Sequence, residues 1–111
     1  MTEAEGAAHL KAIFEAEGYR IAERFALDED GVFVELDGWD ATARVGYEYI
    51  TSEAGDRLEF TPGAIAALEA RMARRELFVF LVDEHDVDGE AALSSAAREF
   101  LARVASLRAT A

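Results

Sequence analysis

Leu77 to Val82 read LFVFLV, six apolar residues in a row with no alternation. Successive side chains of a strand point to opposite faces, so a strand with one wet face alternates apolar and polar residues. An unbroken apolar run predicts a strand covered on both faces, and the sheet that holds it must carry helices at least partly on both sides.

Outward from this strand the other elements follow. On the C-terminal side, Asp88 is placed to cap a last helix whose Leu93, Ala97, Phe100, Leu101 and Val104 form the clearest amphipathic stripe in the chain. On the N-terminal side, Thr61-Pro62 offers a hydroxyl N-cap followed by proline at the first helical position. Ile65, Leu68 and Met72 then line an inner face, and Arg74 and Arg75 suit the negative end of that helix's dipole. Three strands precede it. Tyr19 to Leu27 is the first, and Asp28 to Gly31 (DEDG) reads as a turn. Val32, Val34 and Leu36 alternate with Phe33, Glu35 and Asp37 in the second. After a break at Gly38–Asp40, Ala43, Val45, Tyr47 and Tyr49 alternate with Thr42, Arg44, Gly46 and Glu48 in the third. Thr2 with Glu5 fits a capping box for a first helix over residues 3–17, stopped by Gly18. The order is α-β-β-β-α-β-α: an α+β fold, or mixed α/β sandwich, with an antiparallel three-strand meander, one buried strand, and helices covering the sheet.

Bulk properties bound the function. The 111 residues predict a single globular domain over 1–111, large enough to bury a core unaided. Cysteine is absent, which excludes a disulfide scaffold, a thiol nucleophile and thiolate zinc sites. No apolar stretch follows a basic start and no run approaches membrane-spanning length, so the sequence predicts a cytoplasmic protein without membrane association. The net charge of −12 repels nucleic acid and favours basic protein partners or divalent cations. A homodimer through an exposed sheet edge or the last helix is compatible with the pattern, which selects neither.

Several residues are candidates for chemistry. Asp37 and Glu48 lie on neighbouring strands of the expected hairpin, and two close carboxylates suit Mg²⁺ or Mn²⁺ and phosphodiester hydrolysis. Asp37-Gly38-Trp39 and, eleven residues on, Tyr47-Glu48-Tyr49, set in the order α-β-β-β-α-β, resemble the PD-(D/E)xK nuclease superfamily over residues 2–82. The similarity is greatest to the branch whose last motif reads like Tyr-Glu-Phe. The resemblance implies metal-binding roles for Asp37 and Glu48, with a glutamate of the first helix such as Glu15 as accessory acid. Ile50 stands where the superfamily usually carries lysine, and no Trp-His-Gly follows.

A second reading of the same face is a charge ladder. Arg20 and Arg24 of the first strand, Glu35 and Asp37 of the second, and Arg44 and Glu48 of the third would alternate in sign, each facing pair contributing a few tenths to about 1 kcal/mol. The ladder accounts for every charge on that face, and the sequence favours it. Phe33 and Trp39 share that polar phase and, with Glu35, Asp37 and Arg44, would make a partner-binding patch, but packing of the rings under the first or second helix is the favoured reading. Glu84, Asp86 and Asp88 before Gly89 mimic the start of a calcium loop, but Ser95 replaces its closing glutamate, so a turn and helix cap is favoured. His85 beside Asp83 and Asp86 reads as solvated, and His9 as an exposed partner of Glu5. Together these features lead to the expectation of a non-enzymatic, cofactor-free interaction module that binds another protein, in an immunity-, antitoxin- or adaptor-like role. A metal-dependent nuclease, or an inactive relative of one, is the alternative.

Overall fold

The computed structural model describes residues 1–52 and 55–110. Its elements are α1 (Glu3–Ala16), β1 (Ala22–Glu29), β2 (Val32–Asp40), β3 (Val45–Ile50), a single-turn α2 (Asp56–Glu59), α3 (Pro62–Ala73), β4 (Phe78–Asp83) and α4 (Glu90–Ala109). Apart from α2, this is the expected order. The sheet runs β1-β2-β3-β4, antiparallel across the first two junctions and parallel between β3 and β4. No helix of the described residues is long and apolar enough to cross a membrane.

β4 is covered on both faces, as its unbroken apolar run requires. Phe78 and Val82 join Val45, Tyr47 and Tyr49 in a cluster with Leu10, Ile13 and Phe14 of α1 and Leu93, Ala97, Leu101 and Val104 of α4. Val79 joins Leu27, Val34, Leu36, Trp39 and Leu68 in a second cluster under α3. Each fully buried side chain of this size contributes about 1.5–3 kcal/mol, so the two cores fix which helix covers which face.

Local signals explain the helix starts. Thr2 and Glu5 form the reciprocal capping box, with Thr2 N–H donating to Glu5 Oε1 (2.8 Å) and Glu5 N–H to Thr2 Oγ1 (3.1 Å). Thr61 Oγ1 accepts from Ala64 N–H at 3.1 Å, with Pro62 at N1. The last helix departs from expectation: its N-cap is Gly89, and Asp88 makes no capping bond.

The turns also differ. The first hairpin turns tightly at Asp30–Gly31, both left-handed (φ 49° and 80°), so β1 extends to Glu29. Gly38 is not a turn residue. It lies inside β2, where a Cβ would stand 2.2 Å from Tyr47 Cζ on the paired strand, so glycine there makes room for the tyrosine ring. The chain turns after Asp40, whose carboxylate accepts from the N–H groups of Thr42, Ala43 and Arg20.

One irregularity moves side chains to unexpected faces. Phe25 and Trp39 stack in the same core cluster, with ring centroids 6.1 Å apart, yet the register pairs Trp39 with Ala22, three residues from Phe25. An odd separation puts two residues on one face only if alternation breaks between them. The register skips Arg24, left-handed at φ 50°, together with Asp37 opposite it, and Leu36 and Trp39 of β2, also three apart, share the cluster too. Trp39 is 1 % exposed, not on the polar phase.

Candidate metal centre

The β2–β3 ladder ends at Gly38–Tyr47, and one residue further the two strands part. Side chains fill the opening. Asp37 N–H donates to Glu48 Oε1 (2.8 Å) and Tyr49 N–H to Asp37 Oδ2 (2.8 Å), so each carboxylate replaces a backbone acceptor of the ladder. Deeper in the opening, Glu35 N–H donates to Glu59 Oε1 (3.0 Å) and Thr51 N–H to Asp56 Oδ2 (3.1 Å). Four acids thus satisfy four strand donors along the diverging edges, which would otherwise be orphaned.

Glu3 closes the group from α1. Gly6, one turn on, allows its approach: a Cβ there would lie 2.4 Å from Tyr49 Cδ2, so only glycine lets this turn pack so tightly on β3. Carboxylate oxygens of Glu3, Asp37 and Glu48 lie within 4.8 Å of one another. They line a cavity of about 250 Å³ together with Glu35, Asp56 and Glu59. Among the described residues, no Lys, Arg or His forms an ion pair with Asp37, Glu48 or Asp56.

Burial without a counter-charge disfavours ionisation. Desolvation pushes the Asp37 carboxyl up to about 7, helped by the charges of Glu3 and Asp56 and only partly offset by the Tyr49 N–H. Glu48, 1 % exposed, is pushed higher still, by desolvation first and then by Asp37 and Asp56. Adjacent buried carboxyls with raised pKa values either share protons or surround a cation.

The charge ladder does not form. Arg44 pairs with Glu29, donates to Glu76 O and lies over the Trp39 ring, 5.5 Å from its centroid. Arg20 precedes β1 and meets Asp40 through its backbone N–H. Facing positions do not give pairing because the register skips Arg24 and Asp37 and because β2 and β3 part beyond the Gly38–Tyr47 pair, on the Asp37–Glu48 side.

The other candidates are dispersed. Glu15 sits at the far end of α1, exposed and 4.0 Å from Lys11; the α1 acid at the cleft is Glu3. Phe33 is 69 % exposed while Trp39 is buried, so these rings form no common patch with Arg44. Glu84 accepts from Ser52 N–H (2.6 Å) and pairs with Arg57, whereas Asp86 and Asp88 are exposed, so the three do not converge. Asp83 accepts from His85 N–H and pairs with Arg57. His9 reaches α4 instead of Glu5, its Nε2 lying 2.5 Å from Ser94 Oγ. Glu3 was missed because an acid in the first turn of a helix suits its dipole wherever the helix docks, and Asp56 because no helix was expected over Asp56–Glu59.

No protein-family model, curated protein or solved structure matches this chain.

Proposed function

We propose that the chain is a divalent-cation-binding domain in which Glu3, Asp37 and Glu48 hold Mg²⁺ or Mn²⁺, with Asp56 beside them. The observation that carries this reading is the three carboxylates within 4.8 Å, two of them buried and none of those two ion-paired among the described residues. Hard oxygen donors of this kind select hard divalent ions, whose charge offsets the desolvation and, after it, the like-charge repulsion that raise the Asp37 and Glu48 pKa values.

The reaction this site best supports is metal-assisted hydrolysis of a phosphodiester. A second cavity of about 580 Å³ shares Glu3, Glu35 and Asp37 with the first and is lined also by Arg24, which gives a bound anion a guanidinium beside the ion. The lysine position of the resemblance is no substitute, because Ile50 is buried in the core under α3.

A thermal melt in EDTA and then in excess Mn²⁺, Mg²⁺ or Ca²⁺ tests the site. An ion at 100 times its Kd should add about 2.7 kcal/mol and raise Tm by about 10 °C, and Asp37→Asn should remove the rise. An unchanged Tm with every ion would refute the site. Cleavage of DNA that persists in Asp37→Asn would refute the hydrolytic role alone.

A second reading, the protein-interaction module, is favoured by Phe33 and Leu58, 69 % and 86 % exposed. Phe33 and Glu35 lie two apart on β2, and Glu35 is tied to Glu59, the neighbour of Leu58. Two apolar side chains beside an acidic cleft suit a basic protein partner. A partner bound equally well by Phe33→Ala and Glu35→Lys would count against it.

A further inference from the structure

Between α3 and α4, β4 lies at the bottom of a recess. Two cavities meet there at Met72 and Phe100. One, of about 430 Å³, reaches Leu81 and Ala96; the other, of about 310 Å³, reaches Phe78 and Leu107. From Ala96 to Leu107 α4 advances about 16 Å by the rise of an α-helix. The strand offers no backbone to a partner strand, because Val79 is 2 % exposed and its N–H donates to Met72 Sδ at 3.3 Å. What remains is a slot with an apolar floor and, in Met72, an adaptable wall, a shape suited to one extended apolar chain.

The Leu107 end of the slot is ringed by arginines. Arg75 Nη1 donates to Leu107 O (3.2 Å), and Arg108 lies over the Phe78 ring, 5.2 Å from its centroid. Among the described residues neither is ion-paired, in a chain with 23 Asp and Glu. Glu76, the neighbour of Arg75, is taken by Arg71 and Arg74. Arg103, in the wall of both cavities, meets Glu99 only at 4.0 Å, with the two side chains 71 % and 75 % exposed, so that pair is weak. Opposing charge at this end comes from Glu69 on the rim and from the C-termini of α3 and α4, together about −2 if each helix end counts as half a charge. The guanidiniums of Arg75, Arg103 and Arg108 outweigh it and leave the end positive.

We propose that the recess binds the free anion of a medium-chain fatty acid, its carboxylate against Arg75, Arg103 and Arg108 and its acyl chain laid along β4 toward Leu81. Charge complementarity selects an anionic head over an ammonium. The narrow apolar slot selects a single chain over a broad protein surface. This inference does not rest on the metal centre.

Isothermal titration calorimetry in EDTA, which keeps carboxylates from any bound ion, is the test, with decanoate, decanol and decyltrimethylammonium as probes. Decanoate should bind about tenfold more tightly than decanol, and decyltrimethylammonium most weakly of the three. Octanoate, two methylenes shorter, should bind about fifteenfold more weakly than decanoate. Arg75→Glu should weaken decanoate about tenfold and leave decanol unchanged. Ala73→Trp, at an exposed position in the wall of the smaller cavity, should fill the head end and abolish binding of decanoate and decanol alike. No binding of decanoate at millimolar concentration overturns the proposal, and so does decyltrimethylammonium binding as tightly as decanoate. An affinity that ignores chain length would place the carboxylate on the open surface and overturns it too. These comparisons use the wild type alone, so they decide the matter if either variant fails to fold.

Discussion

Arg71 and Glu48 are both charged side chains buried against the same sheet, and they are treated in opposite ways. Arg71, on α3, meets Glu29 at 2.8 Å, Glu76 at 2.9 Å and Asp30 at 3.5 Å, and Glu29 in turn holds Arg44. Arg74 first, and then Arg71, holds the Glu76 carboxyl down to about 2 through hydrogen bonds. Glu48 meets Asp37, Asp56 and Glu3, all of its own sign, and its carboxyl rises instead. Desolvation is the largest cause of the rise at Glu48 and like-charged neighbours add to it, whereas at Arg71 the hydrogen bond to Glu76 outweighs desolvation. A network closed by opposite charges is complete as folded, whereas a group of like charges is stable as protons or a cation complete it.

The sharpest way to break the comparison is pH. A carboxyl whose folded pKa lies above its unfolded value binds its proton more tightly when folded. The stability this gives is whole below the unfolded value, near 4, and is lost as pH rises through about 7 for Asp37 and higher for Glu48. Metal-free protein should therefore lose on the order of 3–5 kcal/mol between pH 4 and pH 8 in denaturant titrations, the two groups being counted as one coupled pair. Glu48→Gln should flatten the profile and be more stable than its parent at pH 8. A flat parental profile would show that the cleft is hydrated and its acids ionised. Next in size, Arg71→Ala should cost roughly 3 kcal/mol at any pH in that range by leaving Glu29 and Glu76 without their shared cation, read from the midpoint of urea unfolding. A cost below 1 kcal/mol would place the worth of that network in Arg44. Least of all, Asp30→Asn should change stability by less than about 0.5 kcal/mol, because Asp30 is 77 % exposed and reaches Arg71 at the rim. A larger loss would mean that exposed charges matter there as much as buried ones.

What was legible in the sequence was local or periodic. The capping box at Thr2, the Thr61-Pro62 start and the doubly covered β4 each rest on neighbouring residues or on one strand's pattern, and each is present. Asp37 and Glu48 were recognisable as a pair because both lie on strands that must be adjacent. Their burial was not, since it depends on strands parting beyond the Gly38–Tyr47 pair, and Gly38 looks like a turn residue until Tyr47 is seen against it. Trp39 falls on the polar phase by strict alternation, and its packing under a helix, the favoured reading, needs that alternation to break; nothing in the letters around Arg24 announces a left-handed residue. Glu3 required knowing which end of α1 docks at the cleft, a long-range fact that rests on Gly6 and Tyr49.

The parting of β2 from β3 has a mechanical side. Backbone pairing joins these strands only from Gly38–Tyr47 to Asp40–Val45, while β1–β2 and β3–β4 are each paired along most of their lengths. The sheet is thus two plates on a short hinge. The acid cleft sits in the mouth of that hinge, where the bonds from Asp37 N–H to Glu48 and from Tyr49 N–H to Asp37 tie the two plates together. Removing either side chain therefore unpairs a backbone donor at the mouth, so these two acids are joints of the sheet as well as its buried charge.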